Sequence, residues 1–198
     1  MGKIELIIGC MFSGKSTELI RRVRNYRQIS KKILIINYIA DIRYGINKII
    51  THDQISEKAS CISHLTSILN TEEYKDADII AINEGQFFND LYEVVTHIAD
   101  NTNKTIIIAG LDGDSNKDTF GDILKLIPNA EEVIKLSAYC KICNDGTIAN
   151  FTKRICKSID KIIIGGSDMF VPTCRNCYHK PLLPNSTYNT GTTIDNNL

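Results

Sequence analysis

The chain has 198 residues, enough for one substantial core and a small appended module. Its 23 basic and 23 acidic residues cancel, which argues against a nucleic acid backbone as principal partner. No apolar stretch approaches the roughly 18 residues that span a bilayer, and the N-terminus lacks the apolar core of a secretion signal, so a cytoplasmic protein with no membrane partner is expected.

The first apolar run, Ile4-Glu5-Leu6-Ile7-Ile8, predicts a strand, and the segment after the next loop has helical periodicity. Between them Gly9-Cys10-Met11-Phe12-Ser13-Gly14-Lys15-Ser16 has the G-x4-G-K-S spacing of a P-loop. Two glycines let the backbone curl so that successive N–H groups face phosphate oxygens. Lys15 is expected to reach the β and γ phosphates and Ser16 to offer its hydroxyl to Mg2+, while the following helix adds its positive end to the same anion site.

In that helix Leu19, Ile20 and Val23 share a face, and Arg21, Arg22 and Arg24 lie off it; a solvated arginine face is expected in preference to a phosphate site. Lys32-Ile33-Leu34-Ile35-Ile36-Asn37 predicts a strand buried on both sides, and strand, P-loop, helix, strand opens a parallel α/β sheet. The polar stretch from Ala40 through Asp53 follows the carboxyl end of that strand and reads equally as a ligand loop or a surface loop. Cys61 to Leu69 predicts a short helix.

Asp78-Ile79-Ile80-Ala81-Ile82-Asn83-Glu84 predicts the next strand, ending where P-loop proteins carry an acid near Mg2+. Glu84 is the candidate general base for an attacking hydroxyl. Gly85-Gln86-Phe87-Phe88 then leads to a helix with Asp90 and Glu93 as a capping pair and Leu91, Val94, Val95 and Ile98 as its buried stripe. The two phenylalanines suit a core, or one of them a flat base. Thr105 to Gly110 predicts a strand, followed by a polar loop from Leu111 to Phe120. Phe120, Ile123, Leu124 and Ile127 suggest an amphipathic helix ended by Pro128, and Glu132 to Leu136 one more strand.

The last third carries four of the seven cysteines as Cys140-x2-Cys143 and Cys174-x2-Cys177, a pattern suited to a tetrahedral zinc site of four thiolates. Such a site has no open position and is structural; a redox-active C-x2-C is the competing reading. From Lys180 the Pro, Asn, Ser and Thr content predicts a disordered tail.

The P-loop G-C-M-F-S-G-K-S, the N-E-G-Q-F-F strand end, the L-D-G loop and the paired cysteines, in this order, resemble the type II thymidine kinase family of cellular cytosolic, bacterial and poxvirus enzymes. The resemblance runs to about Tyr178. It implies an α/β fold, a P-loop parallel sheet with helices on both faces plus a small C-terminal zinc-binding module. Residues 1–136 would form the kinase domain, 137–180 the zinc-binding domain with a lasso loop over the substrate, and 181–198 the tail.

The activity implied is transfer of the ATP γ-phosphoryl group to the 5′-hydroxyl of thymidine, with Mg2+ and structural Zn2+. Thymidine and ATP are the implied partners, with dTTP a candidate feedback inhibitor and a homotetramer the assembly. Glu84 matches the family's base, Gly9 through Ser16 and Asn83, Glu84, Gly85 and Gln86 its ATP site. Asp41 and Arg43 match a polar loop near the reacting phosphate, so Lys15 and Arg43 join Glu84 as catalytic candidates. Met11, Phe87, Leu111, Ser115 and Phe120 match the thymine pocket. Thr152, Lys161, Ile162, Ile163, Ile164, Gly165 and Phe170 match the substrate-facing flap.

The chain departs from that family at Asn83, usually Asp, at Ser115, usually Phe, at Thr119, usually Pro, and at Phe170, usually Tyr. A zinc-containing nucleotide-binding protein with lost or altered kinase activity is the alternative that Asn83 and Ser115 motivate.

Overall fold

The computed structural model describes residues 1–41, 48–50, 56–156, 166 and 168–181. In chain order the elements are β1 (Lys3–Gly9), α1 (Lys15–Gln28), β2 (Ile33–Tyr38), β3 (Lys48–Ile50), β4 (Ser56–Lys58), β5 (Ser60–Ile62), α2 (Glu72–Asp76), β6 (Ile79–Ile82), α3 (Leu91–Asn101), β7 (Thr105–Leu111) and β8 (Glu132–Leu136). The C-terminal part adds β9 (Ala138–Tyr139), β10 (Ile148–Ala149), β11 (Phe151–Arg154), β12 (Phe170–Thr173) and α4 (Arg175–His179).

Six strands form one sheet in the order β5-β2-β6-β7-β1-β8, and every pairing is parallel. Parallel strands need crossovers, which place helices on both faces and force the strands to be apolar on both sides; hence the Ile-rich runs. Alternation sorts the residues of each strand. Ile4, Leu6 and Ile8 of β1 meet Leu91, Val94, Val95 and Ile98 of α3 in one core layer, whereas Ile7 meets Leu19, Ile20 and Val23 of α1 in the other. Because the strands run in one direction, Gly9, Tyr38, Ile82 and Leu111 all finish at the same edge of the sheet, where ligands bind in open α/β folds. No helix among the described residues is long and apolar enough to cross a membrane.

The α/β expectation with helices on both faces holds, and four local expectations are corrected. Cys61 lies in β5, which extends the sheet edge, and only Leu65–Ile68 is a 3-10 turn. Asp90 precedes α3 without capping it; its carboxylate accepts the amides of Leu65 and Thr66 at 3.1 and 2.9 Å, so a longer-range tie replaces the capping box. Ile123–Asn129 is a 3-10 helix containing Pro128. Its three-residue repeat buries Ile123 and Leu126 and leaves Ile127 42 % exposed.

Arg22 is the fourth correction, since it does not lie on a solvated face. Glu5, the one charged residue of β1 between Ile4 and Leu6, points to the α1 side at 3 % exposure. Arg22 pairs there with Glu5, with Glu18 at 2.9 Å and with Glu132 at 2.6 Å, and Lys3 reaches Glu5 at 2.7 Å. Burial would raise the Glu5 carboxyl, but hydrogen bonds and charge from Lys3 and Arg22 outweigh it and hold the group below its ordinary value.

A carboxyl depressed by folding contributes stability above its unfolded pKa and loses that contribution as pH falls through the folded value. Arg22→Met is expected to cost about 3 kcal/mol at neutral pH, because Glu5 keeps its buried charge with Lys3 as its one remaining cation and only the Tyr26 hydroxyl, at 3.3 Å, beside it. The gap between variant and wild type should narrow as pH drops below about 4, once Glu5 is protonated in both. Denaturant titrations at neutral and acidic pH measure it, and an equal gap at both would contradict this role for Glu5.

Candidate active site

The P-loop leaves β1 at Gly9 and enters α1 through Gly14, whose φ is 83°. Phe12 is also left-handed at φ 63°, a conformation that costs a non-glycine residue about 1–3 kcal/mol. Cys10 is buried and its burial pushes the thiol up. The Lys15 ammonium donates to the Cys10 carbonyl at 2.7 Å. The Ser13 hydroxyl is buried without a hydrogen-bond partner among the described residues.

From Ser16 a line of polar side chains crosses the strand ends. The Ser16 hydroxyl donates to Asn83 Oδ1 at 2.9 Å, Asn83 Nδ2 donates to Asn37 Oδ1 at 2.9 Å, and Asn37 Nδ2 reaches Asp41 Oδ2 at 3.4 Å. Asn83, Asn37 and Asp41 are 4 %, 1 % and 7 % exposed, so these contacts satisfy groups that would otherwise be costly to bury. With its proton given to Asn83, the Ser16 oxygen keeps lone pairs for a cation.

Glu84 follows β6 with left-handed backbone, φ 55°. The Gln86 amide donates to its carboxylate at 2.6 Å and accepts the Leu111 N–H of β7 at 2.9 Å, so one side chain ties Glu84 to the neighbouring strand. Gly85 joins Gln86 and Phe87 in a single 3-10 turn. Gln86 is 3 % exposed, and the backbone around it is close. A Cβ on Gly121, at φ 59°, would stand 2.2 Å from the Gln86 carbonyl oxygen.

An aromatic wall stands beside this. Phe87 stacks on Tyr38 at a centroid distance of 5.2 Å and meets Phe120 edge-on at 5.3 Å, while Phe88 is fully buried beneath. Ser115 accepts at its carbonyl from the Tyr178 hydroxyl at 2.7 Å, which docks the loop after Leu111 onto α4. Asp112 of that loop pairs with Lys135 at 2.7 Å.

On the other side the Met11 N–H donates to Thr152 Oγ1 at 3.0 Å. β11 and β12 are antiparallel, with Thr152 opposite Pro172 and Arg154 opposite Phe170, so Thr152 and Phe170 share one face of the ribbon. Arg43, Lys161, Ile162, Ile163, Ile164 and Gly165 lie outside the described residues, as does the tail beyond residue 181.

The sulfurs of Cys140, Cys143, Cys174 and Cys177 all lie within 4.8 Å of one another, and none forms a disulfide. Cys143 Sγ stands 3.8 Å from Cys174 Sγ and 3.4 Å from Cys177 Sγ. A tetrahedral metal with bonds of about 2.3 Å separates its sulfurs by about 3.8 Å, so this cluster could hold one. Burial would push the Cys140 thiol up, but N–H groups of Cys143, Cys174 and Ile142 hold it down to about 7, whereas hydrogen bonds to the Cys177 and Cys140 sulfurs push Cys143 up to about 12. For all four sulfurs to ionise at this spacing a cation would have to lie among them. Lys153, only 8 % exposed, donates to the Cys177 carbonyl at 3.0 Å and to the Lys180 carbonyl.

A family model described as thymidine kinase matches residues 2–178. The chain belongs to the thymidine kinase family. It is 44 % identical over 177 residues to the thymidine kinase of Rabbit fibroma virus, covering 89 % of this chain and 96 % of that one. Identity to the vaccinia virus (strain Western Reserve) thymidine kinase is 45 %, with 89 % and 97 % covered. Thymidine kinase 1 of Dictyostelium discoideum is 41 % identical, with 90 % and 78 % covered.

Within this member of the thymidine kinase family, four participants escape a reading of motifs. Asn37 and Tyr38 end β2, and their place at the carboxyl edge of a parallel strand was the available signal. Lys153 and Tyr178 act through contacts across 24 and 63 residues, for which the sequence offers no local sign.

Gly121→Ala is expected to lose stability by at least about 1–3 kcal/mol and to lose kinase activity, since the methyl group must displace Gln86 and with it Glu84. Gly146, at φ 89° with nothing within 4 Å of an added Cβ, is the control. Its alanine variant should carry backbone strain alone and keep turnover. Equal activity loss in both, read in denaturant titrations paired with ADP-release assays, would contradict the steric account.

Proposed function

We propose that the chain transfers the γ-phosphoryl group of ATP to the 5′-hydroxyl of thymidine. The observation that carries this reading is the Glu84 carboxylate, held by Gln86 at the same strand edge as Lys15 and Ser16, in a chain that belongs to the thymidine kinase family. Phosphoryl transfer demands positioning and charge stabilisation, with a base for the attacking hydroxyl.

Each residue then has a part. Gly9, Cys10, Met11, Phe12, Ser13 and Gly14 shape a loop for the triphosphate, and Lys15 exchanges the Cys10 carbonyl for phosphate oxygens. Ser16 offers its oxygen to Mg2+, which when bound neutralises charge on the triphosphate. Asn83 orients Ser16 without adding charge, and Asp41 brings the nearest carboxylate of that line through Asn37. Glu84 takes the proton of the 5′-hydroxyl; Gln86 fixes the carboxylate, and Arg43 acts on the reacting phosphate.

For the nucleoside, Phe87, with Tyr38 and Phe120 packed on it, offers a flat apolar face, which suits a base ring. Met11, Leu111, Ser115, Thr152 and Phe170 complete the pocket, together with Lys161, Ile162, Ile163, Ile164 and Gly165 of the flap. Cys140, Cys143, Cys174 and Cys177 hold Zn2+ in a closed, structural site. Residues 1–136 are the kinase domain and 137–180 the zinc domain. A cytoplasmic homotetramer with dTTP as feedback inhibitor belongs to the same proposal.

A panel of deoxynucleosides with Mg-ATP, followed by ADP release and by chromatography of the product, tests it. Thymidine is expected to give thymidine 5′-monophosphate in step with ADP, ahead of purine deoxynucleosides. Binding of both substrates with no ADP released would favour the loss of kinase activity instead.

A further inference from the structure

We propose that the Thr152 hydroxyl is a positioning group for the phosphate loop, through which the four-cysteine module sets how tightly the chain holds the triphosphate. The inference rests on the reading that Gly9 to Ser16 receives ATP.

Two consecutive loop residues are fastened to the C-terminal module. The Met11 N–H donates to Thr152 Oγ1 at 3.0 Å, and the Cys10 thiol donates to the Ala149 carbonyl at 3.4 Å. The joint is largely buried: Cys10, Ala149 and Thr152 are 1 %, 0 % and 5 % exposed, and Met11 is half-buried. Cys10 packs in one cluster with Ala138, Ala149, Cys140 and Cys177, so a residue of the phosphate loop belongs to the core around the cysteines.

The fastening continues to both knuckles. Thr152 is the register partner of Pro172, and the Pro172 carbonyl accepts the N–H of Lys141, which lies between Cys140 and Cys143. β12 ends at Thr173, and Cys174 follows directly. Thr152 is thus joined through the β11–β12 pairing to the strand that leads into Cys174 and, by way of Pro172, to the turn between Cys140 and Cys143, while its hydroxyl reaches Met11.

The chemistry gives this contact a direction. A Met11 N–H donated to Thr152 does not point at phosphate, so Thr152 acts on the triphosphate through the backbone it holds, not by touching it. A phosphate loop must keep several N–H groups convergent before the anion arrives, and every constraint that holds them lowers the ordering cost at binding. Phe12, next to Met11, sits at φ 63° and requires such support to persist. Thr152 is expected from the family resemblance to face the nucleoside; its hydroxyl adds an effect on the other substrate.

The test measures Mg-ATP binding by calorimetry in the absence of any nucleoside, with bound zinc determined for each protein. Thr152→Val keeps the shape and removes the acceptor, leaving the half-buried Met11 N–H without that partner. It is expected to weaken ATP binding about five- to tenfold, with zinc content unchanged. Thr152→Ser keeps the oxygen and should bind ATP within about twofold of wild type, which distinguishes a hydrogen bond from packing. Unchanged ATP affinity in Thr152→Val overturns the proposal, and so does zinc loss in that variant, which would assign Thr152 to the module's own folding. A wild-type protein that binds no ATP overturns the kinase reading and this inference together.

Discussion

The side-chain amide of Gln86 is the joint on which the site depends. One end accepts the Leu111 N–H at 2.9 Å and the other donates to Glu84 at 2.6 Å, so the ends of β7 and β6 are linked by a single buried group. A primary amide suits this place because it can donate and accept at once; a carboxylate could only accept and a lysine only donate. Gly121 lets the chain pass directly over the Gln86 carbonyl, and Ile123, the next buried residue, packs into the α3 side of the core. The position of Glu84 is therefore set by the packing of the sheet itself. Its own backbone is left-handed, at φ 55°.

Around that joint the proposed site is assembled from segments far apart in sequence. The parallel sheet delivers the P-loop, the line Ser16-Asn83-Asn37-Asp41 and the Phe87 wall to one edge. The four-cysteine module grips that edge twice, at Met11 through Thr152 and at Ser115 through Tyr178. The module's four short strands and one short helix bury few apolar residues, a small core for holding such a position. A metal held among the four sulfurs would supply a further constraint, and its binding would couple the module's folding to both loops. Charge is handled separately. The Glu5–Arg22 network lies near the start of β1, on the α1 side, and steadies the sheet where it needs no ligand.

Much of this was legible in the sequence, and the reasons differ by element. Strands β2, β6 and β7, and β1 apart from Glu5, are near-continuous apolar runs because helices cover both faces, and such runs are hard to mistake. The P-loop and the paired cysteines are legible because their chemistry fixes their spacing. What failed was local reading of long-range facts. Asp90 has the spacing of a cap, yet it serves the turn at Leu65, 25 residues away. Arg22 belongs to a basic run that resembles a solvated face, but Glu5, hidden inside an apolar strand, draws it inward. The Ile123–Asn129 segment repeats at three residues instead of 3.6, and Pro128 lies within it, not after it. Asn83 departs from the family pattern, while Asn37, to which its amide bonds, belongs to no motif.

The central claim is that the carboxylate held by Gln86 accepts the proton from the attacking hydroxyl. Glu84→Gln keeps the size and the hydrogen bond to Gln86 while removing basicity, so it separates chemistry from binding. Turnover with thymidine and Mg-ATP, measured beside Mg-ATP affinity in the same protein, is the most direct test. The account predicts a loss of about a hundredfold or more in kcat with ATP affinity within about twofold of wild type. A variant that keeps wild-type turnover would contradict it.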